Sequence, residues 1–418
     1  MLEGFSVEVD GLVHMDADFG GWIATSWEET TLRDEEILEL SQGLIAIESH
    51  SGAAGREAEV AAFARDWLQE RGVRARLEEV DGGRSNVLAA VGRTGGPRIM
   101  LNGHLDTVSG ENMAFPAFRP FVRDGRLYGR GACDMKGPVA AMMAALVDLK
   151  DADLDGEVLF AGVVGEEERS EGTEALIKRG VHADFCIVGE PSDLEIHLGH
   201  RGLEWLEVRF HGVAAHSGAA DKGRNAISAA QTFMSLCASH LNPRIAARRH
   251  PFLGESTINW GFIHGGEQPS TVAGECRLQL DRRWIPGESV QSVVGELEEM
   301  LGVALRLHEG VRGEVVRMEN SILTLDHVPT YVEPTHPGVV ALAGAIAAES
   351  GGEAVYERFP AWTDAALLSG HAGIPSVVYG PGSIRKAHAA DEYVPLDELY
   401  LAARVYRRAC TEFLDGKQ

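Results

Sequence analysis

Cysteine is scarce in this chain. There are five in 418 residues, Cys133, Cys186, Cys237, Cys276 and Cys410, odd in number and scattered. They make neither a Cys-x-x-Cys pair nor a disulfide framework, so a reduced, cytoplasmic compartment is expected. Positive charge is also short. The 38 Lys and Arg stand against 63 Asp and Glu, a formal net charge of −25. Nucleic acids and anionic membranes demand basic patches, so neither is expected as a partner. No stretch reaches the roughly 18–20 uninterrupted apolar residues of a membrane span. The opening residues MLEGFSVEVD lack a basic segment followed by a long apolar one, so no signal peptide is expected. Internal repeats and low-complexity tracts are lacking too.

What is present is ordinary for a globular protein, 44% apolar and 24% charged, and long enough for two domains with a sizeable core. Residues 1–29 show little periodicity and read as an extension. From Arg33 the pattern sharpens: Ile37, Leu40, Leu44 and Ile47, then Val60, Phe63, Trp67 and Leu68, recur at helical spacing. Strand-like runs follow at VRARLEEV, NVLAAV, RIMLNG, EVLFAGVVG, DFCIVGE and, much later, IPSVVYG, with a helical stretch at PVAAMMAALVDL. Short apolar strands alternating with helices predict an α/β sandwich on a largely parallel sheet, buried on both faces.

Residues 202–322 read differently. GLEWLEVRFHG, STINWGFIHGG and GECRLQLDRRW alternate as half-solvated strands do, helical stretches lie at 224–240 and 289–301, and GEVVRME closes the set. That order, β-α-β-β-α-β, is that of a ferredoxin-like unit. The expected organisation is a discontinuous α/β domain, residues 1–201 and 323–418, interrupted by an α+β insert, residues 202–322.

The chemistry gathers where the strands of the first domain end. RIMLNG runs into His104 and Asp106, two apart and therefore on one face of a strand. The loop YGRGACDMKG carries Asp134, EVLFAGVVG ends at Glu166 and Glu167, DFCIVG ends at Glu190, and IPSVVYG leads to His388. In an open α/β sheet the crevice beyond the strands' carboxyl ends is where ligands bind. Two histidines and three carboxylates there form a candidate dinuclear site for Zn²⁺, Co²⁺ or Mn²⁺. A carboxylate with two oxygens can bridge such ions, and a carboxylate that binds neither can act as a general base. Each piece has a plainer reading alone: a capped histidine, a solvated acidic loop, a helix cap at Asp134. Their joint placement at strand ends favours the chemical one.

GHLDTV, GRGACDMKG, GEEERSEGT, IVGEPSD and GPGSIRKAHAADEYV resemble, in order, motifs of the dinuclear-zinc amidohydrolases that include acetylornithine deacetylase, succinyl-diaminopimelate desuccinylase, aminoacylase and glutamate carboxypeptidases. The resemblance spans about residues 33 to 410. It implies a zinc-peptidase-like catalytic domain with the insert as lid and dimerisation domain, in a homodimer. It implies that His104 and Glu190 bind one zinc and Glu167 and His388 the other. Asp134 bridges both, Asp106 orients His104, and Glu166 is the general base. In the insert it implies that His216 reaches the partner subunit's site to stabilise the tetrahedral intermediate, and that Asn259 and Arg283 bind the substrate's carboxylate.

Two departures bear on this. Ala361-Trp362 precedes Thr363-Asp364 where the family often has Gly-Gly, so an indole is expected to narrow the acyl pocket. Glu168-Arg169 follows the paired acids where the family has a small apolar residue and glycine, which leaves open a second register with Glu167 as base and Glu168 as ligand. The expected activity is hydrolysis of the amide bond of an N-acyl amino acid. The alternatives are a carboxypeptidase or dipeptidase on the same machinery, or a non-catalytic binding protein that keeps the fold.

Overall fold

The structure is a computed structural model that describes residues 34–318 and 325–416. The expected extension at 1–29 lies outside the described residues. After two helices the chain enters the large sheet, whose strands are β1 (Arg74–Asp81), β2 (Arg84–Gly92), β3 (Arg98–His104), β4 (Glu157–Val163), β5 (Phe185–Val188) and β6 (Ile196–His197). It then leaves for the insert, whose strands are β7 (Gly202–His211), β8 (Thr257–Gly265), β9 (Glu275–Trp284) and β10 (Arg312–Arg317). It returns as β11 (Tyr356–Glu357) and β12 (Ser376–Val378).

The large sheet has eight strands in the order β1-β2-β4-β3-β5-β12-β6-β11. Its centre is parallel: β3 pairs in parallel with β4 and β5, and β5 with β12. The sheet as a whole is mixed, because β1 pairs antiparallel with β2, β2 with β4, and β12 with β6. The cause at one edge is local. Gly82 and Gly83 both adopt positive φ, 49° and 87°, between Asp81 and Arg84. A two-residue turn of this kind makes a hairpin, and a hairpin is necessarily antiparallel.

Alternation along the central strands sends side chains into two cores. Ile99 and Leu101 of β3 join one with residues of helices α1 (Asp34–Ala46), α2 (Ala58–Glu70) and α3 (Lys136–Leu149), while Met100 joins the other. Helix α3 is buried along nearly its whole length, as an apolar run with no polar stripe must be. On the opposite face Leu176 of α4 (Glu171–Lys178) packs with Met100. Because β3, β4 and β5 run in parallel and in register, with His104 opposite Val163 and Asn102 opposite Val188, their carboxyl ends form a single edge.

The insert has its own sheet, ordered β8-β9-β7-β10 and antiparallel throughout, with helices α5 (Ala226–Leu236) and α6 (Val290–Leu307) on one face. Leu206, Val208, Phe210 and Leu278 pack there against Phe233, Val293 and Leu297. β7 starts at Gly202, and the expected second boundary at 322/323 lies outside the described residues. β8 is an edge strand, bulged between Trp260 and Phe262.

Candidate metal centre

His104 ends β3 with its ring 1% exposed. Its Nδ1 lies 3.0 Å from the main-chain carbonyl of Asp106. A carbonyl only accepts, so Nδ1 carries the hydrogen and the neutral ring presents Nε2 as a donor atom for a metal. The Asp106 carboxylate is 3.6 Å from the same nitrogen. Its hydrogen bonds go elsewhere: Oδ1 accepts the N–H of Gly165 at 3.0 Å and of Glu166 at 3.2 Å, and Oδ2 that of Glu167 at 3.0 Å. Asp106 therefore orients the imidazole mainly through its backbone and uses its side chain to hold the turn that carries both glutamates. Gly165 opens that turn at φ 79°, and a Cβ there would lie 2.6 Å from Arg84 Nη2. Its carbonyl accepts the N–H groups of Glu168, Arg169 and Ser170, which closes the turn on itself.

His104 Nε2 is 3.0 Å from Asp134 Oδ1 and 3.7 Å from Glu190 Oε1. The second Asp134 oxygen, Oδ2, is 3.3 Å from His388 Nε2, which is also 2.9 Å from Glu167 Oε1. One carboxylate thus faces two imidazoles from two chain segments. Potential donor atoms of His104, Glu166 and Glu190 all lie within 4.8 Å of one another, and so do those of His104, Asp134 and Glu167. Glu168 turns away and pairs with Arg56. Of the three consecutive acids, Glu166 and Glu167 face the cluster.

Electrostatics show what the cluster demands. Burial, then the charge of Glu190, pushes the Glu166 carboxyl well above its ordinary range. Burial, then Asp134, does the same to Glu190. For Asp134, burial acts upward but hydrogen bonds from His104 and His388 outweigh it and hold the carboxyl low. His388 is raised to about 10 by its bonds to Asp134 and Glu167. Buried carboxylates this close are relieved either by protonation or by cations among them. Imidazole nitrogens and carboxylate oxygens without thiolates are the donor set of Zn²⁺ or a similar divalent ion.

Some of the supporting residues had drawn no attention in the sequence. The Glu392 carboxylate, fully buried, accepts the N–H groups of Gly131, Cys133 and Asp134 at 3.0, 3.0 and 3.1 Å and pairs with Arg130. Arg130 in turn holds Asn112, whose Nδ2 donates to the carbonyl of His388 at 3.0 Å. That contact supports His388 in the left-handed region, φ 59°, which residues other than glycine seldom occupy. The signal for Glu392 was its place in HAADEYV, just after a candidate ligand. Thr173 and Asp364 were visible as motif letters only; the Thr173 hydroxyl donates to Asp364 Oδ2 at 2.6 Å and ties the acidic turn to the loop after Trp362.

The structure does not bring the insert's candidates into this cluster. His216 is exposed, and the Gly218 N–H donates to its Nδ1 at 3.1 Å, so the neutral ring has its hydrogen on Nε2. Asn259 is exposed on β8 opposite Asp281. Arg283 is held by its own strand, with Nε 2.8 Å and Nη2 3.1 Å from the Asp281 carboxylate. Its neighbour Arg282, 1% exposed, is bound to Glu288 and Glu296 on the helix side. The open face of the insert therefore has Arg283, not Arg282.

A mixed α/β sheet with histidines and acids gathered at the carboxyl edge of its parallel strands defines a metallohydrolase of the zinc-peptidase kind. Residues 100–412 match Peptidase family M20/M25/M40, and the chain belongs to that family. It is 29% identical over 391 residues to the N-formyl-4-amino-5-aminomethyl-2-methylpyrimidine deformylase of Bacillus subtilis, covering 87% of this chain and 91% of that one. It is 32% identical over 345 residues to the acetylornithine deacetylase of Myxococcus xanthus, covering 79% and 85%. In fold it matches aminopeptidase PepT from Bacillus cereus with a TM-score of 0.75 at 22% identity, covering 92% of this chain and 99% of that one.

Proposed function

We propose that the protein hydrolyses the amide bond of an N-acyl amino acid or small peptide-like substrate, using two divalent metal ions, zinc by preference, and Glu166 as general base. The observation that carries this is Asp134 between two imidazoles, His104 and His388, with Glu166, Glu167 and Glu190 around them. His104, Asp134 and Glu190 would hold one ion, and Asp134, Glu167 and His388 the other. The ions supply Lewis acidity, which activates water and polarises the scissile carbonyl. Glu166, which faces the cluster with His104 and Glu190, would take a proton from the attacking water and return it to the leaving amine. Asp106 keeps Glu166 and His104 at a fixed separation by bonding to both.

The insert completes the site in this reading. Among the described residues β8 is an unpaired edge with Phe262 and Ile263 exposed on it, a template for a second copy of the chain. In the resulting homodimer His216 donates from Nε2 to the developing oxyanion in the partner's site. Arg283 and Asn259 on the open face bind the substrate's carboxylate, with Asp281 yielding Arg283 to it. Among the described residues no helix is long and apolar enough to cross a membrane, which accords with a cytoplasmic small-molecule enzyme.

The test is a screen of N-acyl amino acids and dipeptides with protein loaded with Zn²⁺, Co²⁺ or Mn²⁺. Turnover of a member of either group, abolished by a chelator and restored by the ion, is the expected result. The preferred group separates deacylase from peptidase. Metal binding without turnover of any amide would leave the non-catalytic binding protein.

A further inference from the structure

His327 lies where the chain returns from the insert, and its carbonyl accepts the N–H of Leu203 at 3.0 Å. Its side chain is buried, the residue 8% exposed, and neither ring nitrogen has a hydrogen-bond partner among the described residues. The imidazole lies against the indole of Trp362, with ring centroids 4.3 Å apart and planes inclined at 37°. Trp362 Nε1 is likewise buried without a partner among the described residues. Two residues on, Asp364 accepts the Thr173 hydroxyl at 2.6 Å, which ties this loop to the segment that follows the acidic turn. Thr363, between them, is fixed by His200 at 3.2 Å.

Burial, then the charge of Arg317, pushes His327 down to about 4. The ring is therefore neutral at pH 7, with one donor and one acceptor. Together with the indole N–H it offers two donors and one acceptor between aromatic surfaces. Buried polar groups in folded proteins are paired, and leaving them unpaired costs free energy. A partner that satisfies these three has to be flat, to lie along the indole, and uncharged, because nothing in the pair carries charge. It also needs an atom that accepts from Trp362 Nε1 or exchanges a hydrogen bond with the imidazole.

Building on the hydrolase reading above, we propose that His327 and Trp362 form a recognition pocket for a planar, uncharged, nitrogen-bearing ring of the substrate. The ring can belong to the acyl or the amine side of the scissile amide. Two substrate pairs that differ by a ring nitrogen distinguish these sources: N-nicotinoylglycine against N-benzoylglycine, and N-acetyl-3-pyridylalanine against N-acetylphenylalanine. Trp362→Phe and His327→Phe keep an aromatic ring and remove its polar atoms, with some change in ring size. The expected result is a preference of about 10-fold in kcat/KM for the pyridyl member of one pair in the wild-type protein, falling to near unity in the variant that lacks the donor the ring nitrogen uses. The ratio within each protein is the readout, so a change in overall rate does not obscure it. Calorimetric binding of the same compounds to metal-loaded Glu166→Gln protein reads recognition without turnover. A pyridyl preference in binding with no hydrolysis of any amide by the wild type removes the hydrolase reading and keeps the pocket. Equal binding and equal rates for the members of both pairs, or a preference that survives in both variants, overturns the pocket.

Discussion

Glu166 and Glu167 are adjacent, and their main-chain N–H groups share one acceptor residue, yet their carboxylates meet different partners. Glu167 bonds to His388, whereas Glu166 lies with His104 and Glu190. Glu166→Gln should retain metal and lose activity by about 10²–10⁴-fold, since an amide cannot take the proton. Metal content and kcat measured on one preparation check this. A near-normal rate there, with Glu167→Gln inactive and metal-replete, would transfer the base role to Glu167. A second expectation concerns two histidines outside the cluster. Burial above all holds His200 and His327 near 4, against about 6.5 in an unfolded chain. Between those values the unfolded chain binds protons that the folded one does not. The stability from each neutral ring is therefore complete above about pH 6.5 and is lost as pH falls toward 4, roughly 3 kcal/mol per histidine. His200→Gln should show a smaller fall in unfolding free energy across that window than the wild type. Parallel curves would mean that His200 is already charged in the folded state.

At the scale of elements, the turn after β4 is braced from behind. Glu57, just before α2, takes Arg84 of β2 in a two-point bond of 2.9 and 2.8 Å, and Arg84 also reaches Glu171 at the start of α4 at 3.4 Å. Both members of the Glu57–Arg84 pair are buried. Arg84→Met leaves Glu57 buried with only Arg56 Nε, 3.8 Å away, as counter-charge and should cost about 3–5 kcal/mol, most of it recovered when Glu57→Leu is added. Denaturant unfolding of the single and double variants measures it, and an additive double variant would sink the idea. These elements were legible to different degrees. Strands such as RIMLNG and EVLFAGVVG announced themselves by apolar runs, and the cluster by polar residues at their ends. The insert's order was visible from alternation. The antiparallel edge was missed although Gly82-Gly83 marked it, because strand direction is fixed by the turn and not by the strand's own composition. Arg84 was illegible because its partner lies 27 residues away in the chain, and Glu392 had only its place in a motif to mark it because its partners lie 258 to 262 residues away. A buried ion pair leaves no periodic trace in either of its two segments.

For the whole molecule, the claim that His216 serves a partner's site makes a prediction about mixtures. His216→Ala and Glu166→Gln should each be nearly inactive alone. A heterodimer of the two contains one site with an intact Glu166 facing an intact His216 from the partner, and a second site lacking both. Co-expressed subunits should regain on the order of half the normal activity per heterodimer, since residues acting as one catalytic unit do not contribute separately. Heterodimer formed in known proportion but without activity would place His216 in its own subunit's site or outside catalysis. Asp106 grips the imidazole with its backbone and the acidic turn with its side chain. Strand end, ligand and base thereby form one rigid assembly, like a jaw with its teeth set in a common bone. A change at Asp106 would therefore loosen tooth and jaw together.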